Sequence, residues 1–313
     1  FCNVTALLGR KMRLKTTEQF IAELDSLYDL GWRRNIFIVD DNFIGNKRIL
    51  KEELLPALIK WREGKKGCLF LTEASINLAD DEELIDMMVK AGFTQVFIGI
   101  ETPEEDSLAE CGKGQNRHRD LLSNVHKLQK GGLQVMGGFI VGFDSDNEGT
   151  FQRQIDFIQK SGIVTAMVGL LQAPIGTELY NRMEREGRLK AQDYSGDNVD
   201  GETNIVPVME PKKLKKGYRK ILDTIYSAKG FTDRVITFLK TYNPRRHPVT
   251  LEFQEVMALF RSIWEIGIKS KERIYYWRLF FWSLFNDIRK FPLAITFSIY
   301  GYHFRRVNAL HVS

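Results

Sequence analysis

The strongest constraint on this chain is a repeating pattern. Short apolar, β-branched runs alternate with amphipathic helical segments, roughly one pair per 30 residues. The runs are NIFIVDDNF (35–43), CLFLTEA (68–74), TQVFIGIET (94–102), LQVMGGFIVGFD (133–144) and IVTAMVGLLQA (163–173). Residues 16–31 carry Phe20, Leu24, Leu27 and Tyr28 on one helical face, with Thr16 or Thr17 as the cap and Gly31 as the stop. Residues 47–62 continue as a helix. DDEELIDMMVKAG (80–92) predicts a capping box from Asp80 to Glu83 and a stop at Gly92. Residues 119–132 and 149–162 are the next two helices, the last ending at Gly162. Strands joined through helices pair in parallel by right-handed crossovers, so the fold class is α/β. A TIM-type barrel, a partial barrel and a doubly wound sheet all fit. No G-x-G-x-x-G follows the first strand, which disfavours a dinucleotide-binding sheet.

Composition narrows the classes further. Of 313 residues, 43% are hydrophobic and 27% charged, so the bulk of the chain is not disordered. No apolar run reaches the roughly 18 residues of a membrane span. A net charge of +5 is too mild to argue for nucleic acid, and none is expected as a partner. Three cysteines, Cys2, Cys68 and Cys111, make a disulfide framework unexpected and a reducing cytoplasm the expected compartment.

The ends of the predicted strands carry the chemistry. They present Asp40-Asp41-Asn42, Thr72-Glu73, Glu101-Thr102, Phe143-Asp144 and Gln172. In a barrel, such ends converge on one mouth. Asp40, Asp41 and Asp144 also read as caps of the helices that follow. Glu73 and Glu101 do not, because they lie at strand ends well before the next helix, where an unpartnered acid costs desolvation. Gly137, Gly138 and Gly142 interrupt one strand on the same side, as happens where a ligand or another backbone comes close. Cys2, before a basic loop, reads first as a small buried residue, with the last member of a ligand set as the alternative. Cys68 and Cys111 sit in apolar or irregular contexts and do not read as metal ligands.

Together these segments resemble the radical S-adenosylmethionine superfamily, and more narrowly its members with an upstream cobalamin-binding domain. The carrying stretches are Phe1-Cys2, GRKMRLKTTEQFIAELDSLYDLGW, FIVDDNFIGN, TEASINLADDEEL, VFIGIETP, MGGFIVGFDSD and MVGLLQAPIGTELY. The resemblance covers about residues 1–190; NIVPVMEPKKLKKGYRKILDTIYS and FPLAITFSIYGYHFRRV extend it to one subgroup. It implies a partial (β/α)6 barrel at 1–190 and a helical, aromatic and basic region at 191–313. It also implies a [4Fe–4S] cluster on three cysteines, with S-adenosylmethionine on the fourth iron position. Reductive cleavage of that cofactor would drive radical chemistry, here cobalamin-dependent methylation of an unactivated carbon. Cys2 matches the third cluster cysteine. The other two, the first barrel strand and the cobalamin domain would lie before Phe1, so the chain as given is expected to be inactive alone. Asp40 and Asp41 would receive the methionine ammonium. Glu73 and Glu101 would bind ammonium, ribose or substrate. Gly137, Gly138 and Gly142 would lie along adenine, with Gln172 closing that side. The expected partners are a small-molecule or lipid substrate and an electron donor such as flavodoxin or ferredoxin.

Two other readings remain. One is a non-radical barrel enzyme using Glu73 and Glu101 as acid and base. The other is a catalytically dead lipid- or protein-binding fragment. Between Glu210 and Arg246 eleven basic residues face three acidic ones, which reads first as solvated helix surface. The aromatic and basic stretch 273–313 reads first as packing. Its alternative is peripheral contact with a membrane surface.

Overall fold

The computed structural model describes residues 4, 7, 9, 13–190, 201–244 and 253–311. Five strands form one parallel sheet in the order β1 (Ile36–Ile38), β2 (Phe70–Glu73), β3 (Phe93–Glu101), β4 (Gln134–Val141) and β5 (Ala166–Leu170). Every neighbour in the sheet is also the next strand in sequence, the order a (β/α) barrel requires. Register runs Thr72↔Val96, Gly99↔Gly138 and Phe139↔Val168. One sheet face is buried under helices through Phe70, Val96, Ile98, Val135, Phe139 and Val168. The other carries Phe97, Gly99, Met136, Gly138 and Met167 and stays partly open.

The helices follow from their caps. α1 (Thr17–Asp29) starts at Thr16, whose hydroxyl accepts from the Gln19 N–H while the Gln19 side chain returns to the Thr16 N–H. The segment from residue 47 is not one regular helix. A turn at Lys47–Ile49 passes into a π stretch, Leu50–Leu54, before α2 (Leu55–Trp61). Pro56 explains the break, since it has no N–H to return to the preceding turn. α3 (Glu82–Ala91) is capped by Asp81, not by Asp80. A 3-10 turn, Ile76–Asp80, delays the helix by one residue, and Asp80 instead pairs with Arg119 at 2.7 Å. α4 (Glu105–Glu110), α5 (Leu121–Gly131) and α6 (Glu148–Ser161) follow. α6 stops at Gly162, with φ +68°, where a Cβ would stand 2.8 Å from the Phe238 nitrogen. Only glycine meets both the left-handed backbone and that approach.

α7 (Glu178–Arg185) leads to a short antiparallel clip, Leu189 against Ile205. Then α8 (Pro211–Ile225) and α9 (Ala228–Thr241) pack on α6. Leu214, Ile221, Phe231 and Phe238 join the same apolar core as the sheet, so this core crosses residue 190. Arg234 of α9 is fully buried, with no acidic partner among the described residues. It donates to Gln159 Oε1 (2.7 Å), Ile225 O (2.7 Å) and Val164 O (3.2 Å), tying two helices to the entry of β5. Burial pulls its guanidinium down to about 10, so it stays charged at neutral pH. The chain ends with α10 (Phe253–Ser262), a π extension (Ile263–Lys269), α11 (Arg273–Asn286) and α12 (Phe291–His311). Packing accounts for part of the aromatic stretch: Tyr276 and Phe297 are buried, whereas Phe281 and Phe285 are exposed.

Candidate active site

β1 is short, and the Asp40 N–H returns to Ile38 O at 3.0 Å, turning Asp40 and Asp41 outward at its end. Neither acid caps the next turn, because Asn42 and Asn46 hold the two cap positions. Asn42 Oδ1 instead accepts from the Ser75 N–H (3.1 Å) and hydroxyl (3.2 Å), which fastens the loop after β1 to the loop after β2. Thr72, fully buried, donates to Ile38 O at 3.0 Å and adds a second tie.

Glu73 ends β2 and is half-buried. Burial pushes its carboxyl above the usual range; Asp41 and Asp40 push it further, and Lys113 opposes them. The folded protein therefore holds the Glu73 proton more tightly than the unfolded chain does. Ionising Glu73 costs stability, and that cost is fully present above the folded-state value and absent below the ordinary glutamate range. Glu73→Gln should melt at a higher temperature than the parent near pH 7, with the gain shrinking on acidification. Thermal melts across pH check this; a variant that melts lower at every pH would show that the carboxylate is compensated.

Glu101 ends β3 with φ +64°, a left-handed conformation that is costly for a residue with a side chain. It is 6% exposed. Lys113, from the loop after α4, holds Glu101 Oε1 at 2.7 Å. The pair lies over Gly99, where a Cβ would collide with Glu101 Oε1 and stand 2.9 Å from Lys113 Nζ. Asn116, 1% exposed, fixes this strand end by donating to Gly99 O and Ile100 O, both at 3.0 Å. Its own Oδ1 is buried with no hydrogen-bond partner among the described residues.

The glycines of β4 divide between the faces. Gly138 pairs with Gly99 and shares its open face, with Phe97 3.0 Å from the place of its missing Cβ. Gly137 points to the helical side, against Phe139 and Ile163. Gly142 does not offer its N–H to a ligand: Asp146 Oδ2 accepts it at 2.8 Å. Asp146 also takes the Phe143 N–H (3.1 Å) and the Ser107 hydroxyl (2.9 Å), so it builds the turn after β4 while burial pushes its carboxyl up. Asp144 caps no helix either, as Asn147 caps α6. It binds Arg188 at 2.6 Å and Arg182 at 3.3 Å, and the Arg188 hydrogen bonds hold its carboxyl below the usual range. Gln172 is buried, and its amide donates to Glu202 O at 3.2 Å. Asn204 occupies both backbone groups of Ala173, so the end of β5 is covered by the chain that enters the second arm of the clip.

The structure thus gathers Asp40, Asp41, Glu73, Lys113 and Glu101 into one electrostatic cluster, with Gly99 and Gly138 adjoining on the open sheet face. Gly137, Gly142, Asp144 and Gln172 are committed to local structure. Cys2 lies outside the described residues. Cys68 is buried at the opposite end of β2, its thiol donating to Trp32 O, and the Cys111 thiol donates to Leu108 O. Burial pushes both thiols up, the wrong direction for a metal-binding thiolate. Sequence reasoning missed Lys113, Asn116 and Asp146; a short Gly-Lys-Gly after a helix carries no signal of its own.

Residues 1–158 match a family model described as the radical SAM superfamily, and residues 177–313 match a domain of unknown function. An uncharacterized methyltransferase of Synechocystis sp. is 39% identical over 97% of the chain and 57% of its own length. The hopanoid C-2 methylase of Rhodopseudomonas palustris is 33% identical over 89% of the chain and 53% of its own length. The chain thus spans about half the length of these relatives. A radical S-adenosylmethionine methyltransferase, TsrM, from Kitasatospora setae, solved with cobalamin and a [4Fe-4S] cluster, aligns over 94% of the chain and 56% of its own. Its TM-score of 0.50 at 14% identity is a likeness of fold.

Proposed function

Since this chain belongs to the radical SAM superfamily, we propose that it is the S-adenosylmethionine-binding catalytic part of a cobalamin-dependent methyltransferase acting on an unactivated carbon. One observation carries the reading: four carboxylates and one ammonium cluster at the strand ends, beside the facing strand glycines Gly99 and Gly138. S-adenosylmethionine presents an ammonium, a carboxylate, a ribose diol and a flat adenine. The carboxylates of Asp40 and Asp41 accept no hydrogen bond among the described residues and suit the ammonium. Glu73 and Glu101 suit the ammonium or the ribose hydroxyls, and Gly138, with the Phe97 ring beside it, suits adenine. Cys2 would supply one thiolate of the cluster, and Cys68 and Cys111, whose thiols burial pushes up, would supply none. When bound, the cluster, S-adenosylmethionine and cobalamin supply one-electron chemistry and a methyl group. The residues named here bind and orient, and Lys113 keeps the Glu101 carboxylate over Gly99.

The names of the relatives, a methyltransferase and a methylase, support methyl transfer as the outcome. A small-molecule or lipid substrate and a flavodoxin- or ferredoxin-like electron donor in the cytoplasm complete the proposal. The raised carboxyl of Glu73 favours a second reading, acid–base catalysis without radicals. The test is made on the natural protein, purified and reconstituted with iron and sulfide without oxygen. It should bind S-adenosylmethionine and cleave it only when a reductant is added. Turnover without reductant would establish the second reading. Absence of both binding and cleavage would remove the first.

A further inference from the structure

α10 with its π extension is apolar on two faces. Leu259, Ile263 and Ile266 pack inward with Tyr276 of α11 and Ile295 of α12. A second row points to solvent: Phe253, Val256, Met257, Phe260, Trp264 and Ile268, between 38% and 77% exposed. α11 continues it. Trp277, Phe281 and Phe285, spaced one turn apart, stack with centroids 5.6 and 6.1 Å apart, and Phe281 and Phe285 are 46% and 78% exposed. Ile274 and Ile288 extend that row at 70% and 58% exposure. The rows adjoin, because the Trp277 indole donates to Gly267 O at 2.9 Å. Folding needs neither row, since the inner faces already supply the contacts that hold these helices. A patch of this extent on a monomer marks an interaction surface.

Charge identifies the occupant. Residues 253–311 hold nine Lys and Arg against four Asp and Glu. Three of the acids are neutralised within the region, Glu265 by Lys269, Glu272 by Arg305 and Asp287 by Arg289, each at 2.8 Å. Arg261, Lys271 and Arg273 have no ion pair among the described residues. Arg261 follows Phe260 in α10, and Arg273 lies one turn before Trp277 in α11. Exposed Trp and Phe flanked by uncompensated cations suit the headgroup layer of an anionic bilayer. No described helix is long and apolar enough to cross a membrane. We propose that the outer face of α10 and α11 binds the surface of an anionic lipid bilayer and lies on it without crossing it.

Vesicle flotation tests this with the whole chain, using phosphatidylcholine alone and phosphatidylcholine with about one third phosphatidylglycerol. The chain should float with the anionic vesicles and dissociate as salt rises. The pair Phe260→Ser and Trp264→Ser should lower partitioning roughly tenfold or more, by loss of buried ring area. Arg261→Gln with Arg273→Gln should lower binding to anionic vesicles and remove its salt dependence. All four positions lie on the solvent side, so unchanged melting confirms that the variants fold. No flotation, or flotation indifferent to these changes, overturns the proposal. So does concentration-dependent dimerisation in sedimentation that the serine pair abolishes, which would assign the face to a second copy of the chain.

Discussion

Lys113→Met should lower S-adenosylmethionine affinity at least tenfold and cost about 2 kcal/mol of stability. Lys113 holds the carboxylate of Glu101, whose side chain is 8% exposed, and Lys113 itself is 23% exposed. Without the ammonium the acid remains poorly solvated, held in a left-handed backbone over Gly99. Residual solvent access at Lys113 keeps the loss below that of a fully buried pair. The double variant Glu101→Gln, Lys113→Met separates the two roles. Removing both charges abolishes the unpaired carboxylate, so much of the stability should return. Affinity should not return, because the ligand-facing carboxylate is gone. Urea denaturation and titration calorimetry of the parent, two singles and double complete the cycle. Additive stability losses would mean the pair is not coupled. Unchanged affinity in Lys113→Met would place the cofactor away from this cluster.

The second large effect lies at the other end of the sheet. Arg234→Leu should cost roughly 3–5 kcal/mol and lower the melting temperature by about 10 °C. The substitution strands three acceptors, Gln159 Oε1, Ile225 O and Val164 O. Each loses a charged donor, and Ile225 and Val164 are buried where water does not reach, while Gln159 is partly exposed. The rings of Tyr226 and Phe231, with centroids 5.6 and 5.1 Å from the guanidinium carbon, add to the loss. Arg234→Lys should rescue little, since one ammonium cannot span the three acceptors of a planar fork. Folded Arg234→Leu should bind S-adenosylmethionine as the parent does, because Val164 precedes β5 and the acidic cluster lies beyond the opposite strand ends. Stability within about 1 kcal/mol of the parent would show that relaxation or water satisfies the three acceptors.

The five strands were readable because each is a short apolar run bounded by turn residues and separated from the next by a helical period. Their parallel pairing follows from the crossover rule, whereas their sequential order, which separates a barrel from a doubly wound sheet, came from the structure. The acidic ends were also readable, since Glu73 and Glu101 sit at strand ends where no helix needs a cap. The mistaken assignments had local alternatives of nearly equal merit. Asp80 and Asp81 are adjacent and equally able to cap; a 3-10 turn decided between them. Asp144 and Asn147 both precede α6, and Arg188 captured the first.

Residue order alone establishes the parallel sheet and the set of acids at its carboxyl ends, because periodicity of 2 or 3.6 and the chirality of crossovers are properties of a local chain. Which acids share one electrostatic site, and which are spent on turns and clamps, depends on groups far apart in the chain. Lys113 reaches Glu101 across a helix, and Arg188 reaches Asp144 from beyond α7. Gly137 and Gly138 are identical letters until the pleat sends one toward Ile163 and opens the other beside Gly99. Burial and pairing at these distances exist only once the sheet has formed and packed, and they separate a binding carboxylate from a structural one.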